Sequence, residues 1–480
     1  MLDVRAVLYL FGLIVAALGL AMFLPVLAET RSGSGQWQAF VQSALATVTC
    51  GGLLALTSHR AGGGFAPRPA LVLAAAVFAL VPLFGALPFM LGTPRLGLLD
   101  AWFEAVSGLT TTGSTLLTGL DHLPAGLQLW RGMLGWFGGL LFILVALVLQ
   151  PQLRLGGMSY FRATSVDGSG RLLPRVRAAA RDLVLYYLVL TLICALAYLA
   201  LGMLPLEATV TALATLSTSG ISTSDTGFTG HSAALHLTAV LFMLLASAPY
   251  LRVVQALKRA PGPLVRDPQL RACLLWLLLA LALVLAYRLS SAPDSPAPLV
   301  AALFNLVSVF SGTGFRSGDF ALWGPFVVVV ALVLGIIGGS TGSTSSGLGL
   351  FRVLVLRGVI RAQIARVQMP HRVALVRYDG RSVDGEVIDQ VLLYIGGYFA
   401  ALIGLSILLA MTGIGAGDAV LMVWASLSNI GGFFGAGLAP GAVMADLGVA
   451  GKLVLIVAML VGRLGLVGVL VLASRRFWVM

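Results

Sequence analysis

Four stretches of this chain gather small, oxygen-bearing residues around a glycine: SGLTTTGST at 107–115, STSGISTS at 217–224, SGTGFRS at 311–317 and SLSNIGG at 426–432. Serine and threonine offer oxygen without bulk, and glycine reaches backbone dihedrals that turn successive carbonyls toward one line. Four such stretches around one axis could replace the hydration shell of an ion. Taken singly, each is equally an ordinary hydroxyl-rich turn or a small-residue helix contact. Four at matching places favour a pore.

The elements that must position them are helices in a membrane. The 480 residues are 59% hydrophobic and only 10% charged, and runs of about 20 apolar residues can each cross the hydrocarbon. Backbone groups in lipid must be satisfied internally, so runs of this length imply helices, while a barrel would show alternating segments of about ten residues. The expected fold is all-α and polytopic. Apolar spans fall at 6–28, 38–58, 69–92, 127–150, 180–203, 233–257, 270–289, 323–357, 388–412 and 449–473. The first ends in VLAET but exceeds a signal-peptide core of about 7 to 15 residues, so it reads as a retained helix.

The net charge of +12 sits in loops between spans, not in a basic domain, which argues against nucleic-acid binding and for topology. Arg5, Arg60, Arg68, the cations within 154–181, 252–271 and 357–381, and Arg475 with Arg476 mark one side as cytoplasmic, so both termini are expected there. The other side holds Asp100, Glu104, Asp121, Glu207, Asp225 and Asp418. Cys50, Cys194 and Cys273 lie in or at the end of apolar runs with no metal spacing and read as packing residues. His231 and His236 read as interfacial residues near the outer boundary. GGGF at 62–65 lacks the strand, helix and lysine of a phosphate loop.

From the third span onward, paired spans are joined by segments that begin with an apolar stretch of about ten residues, too short to cross but long enough for a re-entrant half-helix. Gly113, Gly220, Gly314 and Gly431 are corresponding points with a period of roughly 100 residues. The chain thus divides into a two-helix extension (1–60) and four units of helix, pore loop and helix at 69–150, 178–258, 268–360 and 386–476. Twelve residues at 338–349, GGSTGSTSSGLG, interrupt the span 323–357 and should break its helix. They read as an intramembrane loop or as a flexible linker. Arg463, deep in the last span, is a functional candidate by default, with snorkelling toward the cytoplasm as the alternative.

FEAVSGLTTTGSTL, WRGMLGWFGG, GGMSYFRA, GGSTGSTSSGLGLFRVLVL, SLSNIGGFFGAGL and MLVGRLG, in this order, resemble motifs of the TrkH and KtrB type of potassium transporters. The resemblance covers nearly the whole chain and is nearest to the Trk-type subunit. It implies potassium uptake across the bacterial inner membrane, with K+ as the transported ion and no organic cofactor in this chain. It implies a selectivity filter of Gly113, Gly220, Gly314 and Gly431 with the adjoining carbonyls of Thr112, Ser219, Thr313 and Ile430. It further implies a gate within 338–349, carried by Gly339, Ser340, Thr341, Gly342, Ser343, Thr344, Ser345, Ser346 and Gly347, with Arg463 near the path. The family works as a homodimer with a cytoplasmic, nucleotide-binding, TrkA-like regulatory subunit, for which the basic loops around Arg175, Arg259 and Arg366 are the nominated surfaces. Four positions depart from the family: Gly349 replaces a lysine, Ser345 and Ser346 stand where the family has more glycine, and Gly465 replaces a glutamate. The alternative, a symporter coupling K+ to H+ or Na+, would need an essential carboxylate within the membrane. Glu104, Glu207 and Asp418 read as starting or flanking half-helices instead. An enzyme is not expected, because the acids and histidines do not converge at any catalytic spacing.

Overall fold

The computed structural model describes residues 4–33, 35–59, 67–148, 172–257, 262–291, 299–318, 320–369, 371, 374–434 and 444–479. Among these, seven helices are long and apolar enough to cross a membrane, and nine if two sharply bent pairs each count as one span. The motif GGMSYFRA, the stretch GGGF at 62–65, Arg259 and the end of the fourth loop lie outside the described residues.

The N-terminal extension is α1 (Val4–Ala21), α2 (Phe23–Ser32) and α3 (Trp37–Thr57). Small residues let α1 and α3 approach closely: a Cβ on Gly12 would stand 2.7 Å from the Gly51 carbonyl oxygen. The first unit is α4 (Pro67–Gly85), α5 (Leu87–Leu91), α6 (Leu98–Leu109) and α7 (Ala125–Val148). The second is α8 (Leu172–Ala200), α9 (Pro205–Ser217), α10 (Ala233–Ser247) and α11 (Tyr250–Leu257). After α12 (Gly262–Val265), the third comprises α13 (Pro268–Ser291), α14 (Leu299–Ser311), α15 (Pro325–Ile337) and α16 (Leu350–Gln368). The fourth comprises α17 (Gly385–Ala410), α18 (Ala416–Leu427), α19 (Gly431–Phe434), α20 (Val449–Leu464), α21 (Leu466–Ala473) and α22 (Arg475–Val479).

The short helices α6, α9, α14 and α18 have 12 or 13 residues, about 18–20 Å at 1.5 Å per residue, against a hydrocarbon core of about 30 Å. They are apolar on most faces because they are the buried centre: Phe103, Val106, Val210, Leu216, Phe304, Phe310, Val423 and Trp424 are fully enclosed. The long helices around them expose leucines outward, as at Leu274, Leu275, Leu278 and Leu279 of α13, where lipid would solvate them.

Two sequence expectations change. The span 233–257 is two helices bent by 100°, because Pro249 lacks an N–H and forces Ala248 into an extended conformation (φ −77, ψ 152). The span 449–473 bends by 106° at Gly465, whose φ of 75 an L-residue adopts only with strain. The fold is all-α, as expected, with one small antiparallel hairpin beside it, β1 (Arg377–Tyr378) and β2 (Arg381–Ser382). Its turn, Asp379-Gly380, has two positive φ values (49 and 77), the geometry that matches strand twist in a two-residue loop.

Candidate functional site

Each short helix ends in a loop of the same local design. The amide before the glycine reaches back to the helix: Thr112 N to Ser107 O at 2.8 Å, Ser219 N to Ala214 O at 3.0 Å, Ile430 N to Ala425 O at 2.7 Å. In the third loop Gly314 N reaches Ser308 O at 3.2 Å. Three loops then alternate left-handed residues with ordinary ones: Thr111 and Gly113 (φ 54 and 77), Thr218 and Gly220 (52 and 63), Gly312 and Gly314 (80 and 79). Alternating hands turn successive carbonyls to one side, which an ordinary helix or strand cannot do.

The four loops close on one another in chain order. A Cβ on Gly113 would overlap the Ser219 carbonyl oxygen, and one on Gly220 the Thr313 carbonyl oxygen. One on Gly314 would stand 3.3 Å from the Ile430 carbonyl oxygen, and one on Gly431 would overlap the Ser114 hydroxyl. The eight predicted filter residues are therefore brought together as a ring, and the glycines are where neighbouring loops touch.

The fourth loop departs from the other three. Asn429 is left-handed (φ 49), but Gly431 is not; it opens the helical turn α19. Gly432 then leans across the ring, its amide donating to Thr112 O at 3.2 Å. A Cβ there would sit 2.8 Å from Gly220 O and 3.1 Å from Gly314 O.

The hydroxyls that mark these loops in sequence hold the loops themselves. Thr110 and Thr112 share a hydrogen bond of 2.7 Å, Ser217 donates to Ser219 at 3.0 Å, and Ser311 and Thr313 share one of 2.7 Å. Ser107 and Ser308 donate to the carbonyls of Ser114 and Phe315, both at 2.6 Å. Ile430 has no hydroxyl to repeat the pair, and Asn429 Nδ2 donates instead to Thr112 Oγ1 at 2.8 Å and to Met459 O at 3.2 Å. Glu104 lies inside α6 and is buried, not flanking it: it accepts from Thr115 Oγ1 (2.8 Å) and Leu116 N (2.5 Å), with Arg131 Nε at 3.8 Å. Arg131, on α7, also donates to Ser222 O of the second loop at 3.2 Å.

Beneath the ring lies the segment 338–349, folded back between α15 and α16, with Leu348 N on Ile336 O at 2.9 Å. It is packed inside the protein, which removes the linker alternative. Its side chains cap the lower ends of the short helices. Ser345 Oγ donates to Ser311 O at 2.6 Å, and Thr344 Oγ1 to Leu216 O at 3.3 Å and Ala246 O at 3.1 Å. Arg463 is buried, which removes the snorkelling alternative; its Nε donates to Thr110 O at 2.6 Å and its Nη1 to Thr344 O at 3.2 Å. Its guanidinium lies 4.2 Å from the Phe142 ring centre. A cavity of about 50 Å³ lies here, lined by Phe142, Ser343, Ser346, Arg352, Tyr394 and Arg463. Arg352 stacks 3.8 Å over Tyr394 and stands near Gly349, the position of the family lysine.

The capping segment is also tied outward. Thr341 N donates to Gln269 Oε1 at 2.8 Å, and Gln269 N donates to Asp267 Oδ1 at 2.8 Å. Arg252 bridges Asp267 (3.5 Å) and Asp379 of the hairpin turn (3.2 Å). Burial pushes the Asp267 carboxyl above its ordinary range, against the opposing pull of the Gln269 amide and Arg252.

Several of these residues escape sequence reading. Glu29, in the first span, accepts from Gly126 N at 2.5 Å and so sits at the start of α7. His236 is buried, not interfacial, with Nε2 2.7 Å from Ser317 Oγ. Gln269 carries no local motif. Glu104 and Asn305 could have been found by aligning the repeats, since each stands nine residues before its glycine. His231 pairs with Glu207 at 3.1 Å, and the described residues hold no cluster of three or more metal-binding side chains.

Comparison with known proteins agrees over the whole length. The family described as "TrkH: Cation transport protein" matches residues 36–478. The Trk system potassium uptake protein TrkI of Halomonas elongata is 32% identical over 99% of this chain and 96% of its own. The Trk system potassium uptake protein TrkH of Escherichia coli K12 is 30% identical over 99% of both. The crystal structure of the potassium transporter TrkH from Vibrio parahaemolyticus superposes with a TM-score of 0.89 at 29% identity, covering 99% of both chains.

Proposed function

The chain belongs to the TrkH family of cation transport proteins, a multi-pass membrane transporter and not an enzyme, and we propose that it takes potassium up across the bacterial inner membrane through the ring of four loops. The observation that carries this reading is the closed chain-order contact of Gly113, Gly220, Gly314 and Gly431 with the carbonyls and hydroxyl of the next loop. Carbonyls of Thr112, Gly113, Ser219, Gly220, Thr313, Gly314, Ile430 and Gly431 would coordinate K+ in place of water. The short helices point their C-termini at the space below, where their terminal carbonyls, once freed, would stabilise a dehydrated cation.

The gate follows from what occupies those carbonyls. Ser345, Thr344 and Arg463 take up the ends of α14, α9 and α6, so the segment 339–347 both fills the path and cancels the field that favours a cation. Opening would withdraw the segment and free the carbonyls together. Uncoupled passage is favoured over symport because the buried acids already have work: Glu104 faces Arg131 and Glu29 the start of α7. We place both termini in the cytoplasm by the cation bias of the loops, and the working form is a homodimer with one ring per subunit. A nucleotide-binding, TrkA-like regulator would engage the basic side, where Arg357, Arg361 and Arg366 of α16 and Arg377 and Arg381 of the hairpin are exposed.

The reading is tested by rubidium uptake into liposomes holding the purified chain, with potassium and sodium as competitors. Potassium is expected to compete far better than sodium; equal competition would remove potassium as the selected ion. A second expectation concerns the tie outward. Gln269→Leu leaves the Thr341 amide unpaired in a part-buried site, at about 1–3 kcal/mol, and should raise basal uptake severalfold without the regulator. Unchanged basal uptake would show that the tie does not restrain the gate.

A further inference from the structure

We infer that Asn305 and His236 are a positioning pair that holds the third loop and thereby sets the ion preference of the ring, an inference that rests on the pore reading above. All three polar groups of one residue, Ser317, are held by these two side chains. Asn305 is fully buried on α14; its Oδ1 accepts from Ser317 N at 3.0 Å, and its Nδ2 donates to Ser317 O at 2.8 Å and to Ala301 O at 2.9 Å. His236, on α10, has Nδ1 2.9 Å from Ser232 O and Nε2 2.7 Å from Ser317 Oγ. A carbonyl only accepts, so Nδ1 carries a proton and donates to Ser232 O, leaving Nε2 to pair with the Ser317 hydroxyl. The ring is fixed edge-on by Phe304 and Phe228, with centroids at 4.9 and 5.8 Å.

Ser317 stands three residues after Gly314, so anchoring it holds the outward limb of the third loop, which Ser308 also holds nearer the glycine through Phe315 O. The first loop has the same bracket with different chemistry. Glu104, nine residues before Gly113, holds Leu116, three residues after it. In the fourth loop the corresponding residue is Met422, which can form no such bond. His236 also reaches across units, as Arg131 does to Ser222 O, so the helices that leave the first and second loops each steady the next loop. A ring that discriminates by the spacing and number of its carbonyls loses discrimination when one quadrant can shift.

The test is rubidium uptake by the full chain in liposomes, with potassium and sodium competition measured for Asn305→Leu, His236→Leu, His236→Gln and Ser317→Ala, each checked for monodisperse elution. Sodium competition relative to potassium is expected to rise at least fivefold in Asn305→Leu and His236→Leu. His236→Gln, whose amide can still meet the Ser317 hydroxyl, should recover most of the wild-type ratio. Ser317→Ala removes one hydroxyl and should shift the ratio in the same direction by a smaller factor; it decides alone if the leucine variants aggregate. Monodisperse variants that keep the wild-type ratio, even with slower uptake, would overturn the positioning role. A wild-type chain that does not discriminate would overturn the pore reading and this inference with it.

Discussion

Gly113→Ala and Gly220→Ala are each expected to abolish potassium-selective uptake, with Gly314→Ala distinctly milder. The left-handed dihedral alone costs an L-residue roughly 1–2 kcal/mol, which a folded chain could absorb. The greater obstacle is steric. At Gly113 and Gly220 the new Cβ would overlap a backbone carbonyl oxygen of the next loop, Ser219 O or Thr313 O, and a backbone oxygen cannot rotate aside as a side chain can. The neighbouring loop must move, and the oxygen it moves is one of those proposed to coordinate the ion. At Gly314 the nearest atoms stand 3.2 and 3.3 Å away, so a shift of a few tenths of an ångström suffices. Rubidium uptake with sodium competition reads the order directly. If Gly314→Ala proves as severe as Gly220→Ala, carbonyl overlap is not what the glycines avoid.

Arg463→Gln should raise uptake in the absence of a regulator by at least tenfold. The arginine joins two otherwise separate parts, the lower end of α6 through Thr110 O and the capping segment through Thr344 O. Its loss leaves buried acceptors without a partner, at about 1–3 kcal/mol each, and loosens the segment from the helix end. It also removes a fixed cation: a unit charge about 5 Å from a passing ion costs about 3 kcal/mol at an effective dielectric of about 20, worth roughly a hundredfold in rate. Arg463→Lys should fall between, because one ammonium cannot reproduce the fork that spans both carbonyls. Efflux of rubidium from loaded liposomes measures this without a competing ion. A folded Arg463→Gln chain with unchanged or reduced flux would make the residue a structural tie only.

The departure at position 349 has a related physical basis. Gly349 begins α16 with φ 80, and a Cβ there would stand 2.6 Å from Thr341 Oγ1 and 3.4 Å from Arg352 Nη1. The basic group beside the capping segment is thus Arg352, held against Tyr394 and donating to Leu348 O at 2.6 Å. Likewise Gly465, in place of the family glutamate, supplies the dihedral at which the last span turns by 106°.

The membrane class, the short buried helices, the recurrence of a glycine at each loop and the break at 338–349 are all legible in the amino-acid order. Each of these rests on composition or on spacing along the chain: apolar runs of spanning length, half-length stretches that cannot cross, and residues whose dihedral freedom is local. What the hydroxyls do emerges only from packing, since Thr110, Ser217 and Ser311 bind their own loops. Packing likewise makes Arg463 a tie between two parts and sets Glu104, Asn305 and His236 as braces behind the loops. The inward lean of the fourth loop at Gly432 belongs with them. Those roles depend on partners tens to hundreds of residues away, such as Arg463 with Thr110 and Asn429 with Thr112. Hydrogen bonding at that range is set by how helices pack, and no local periodicity records it.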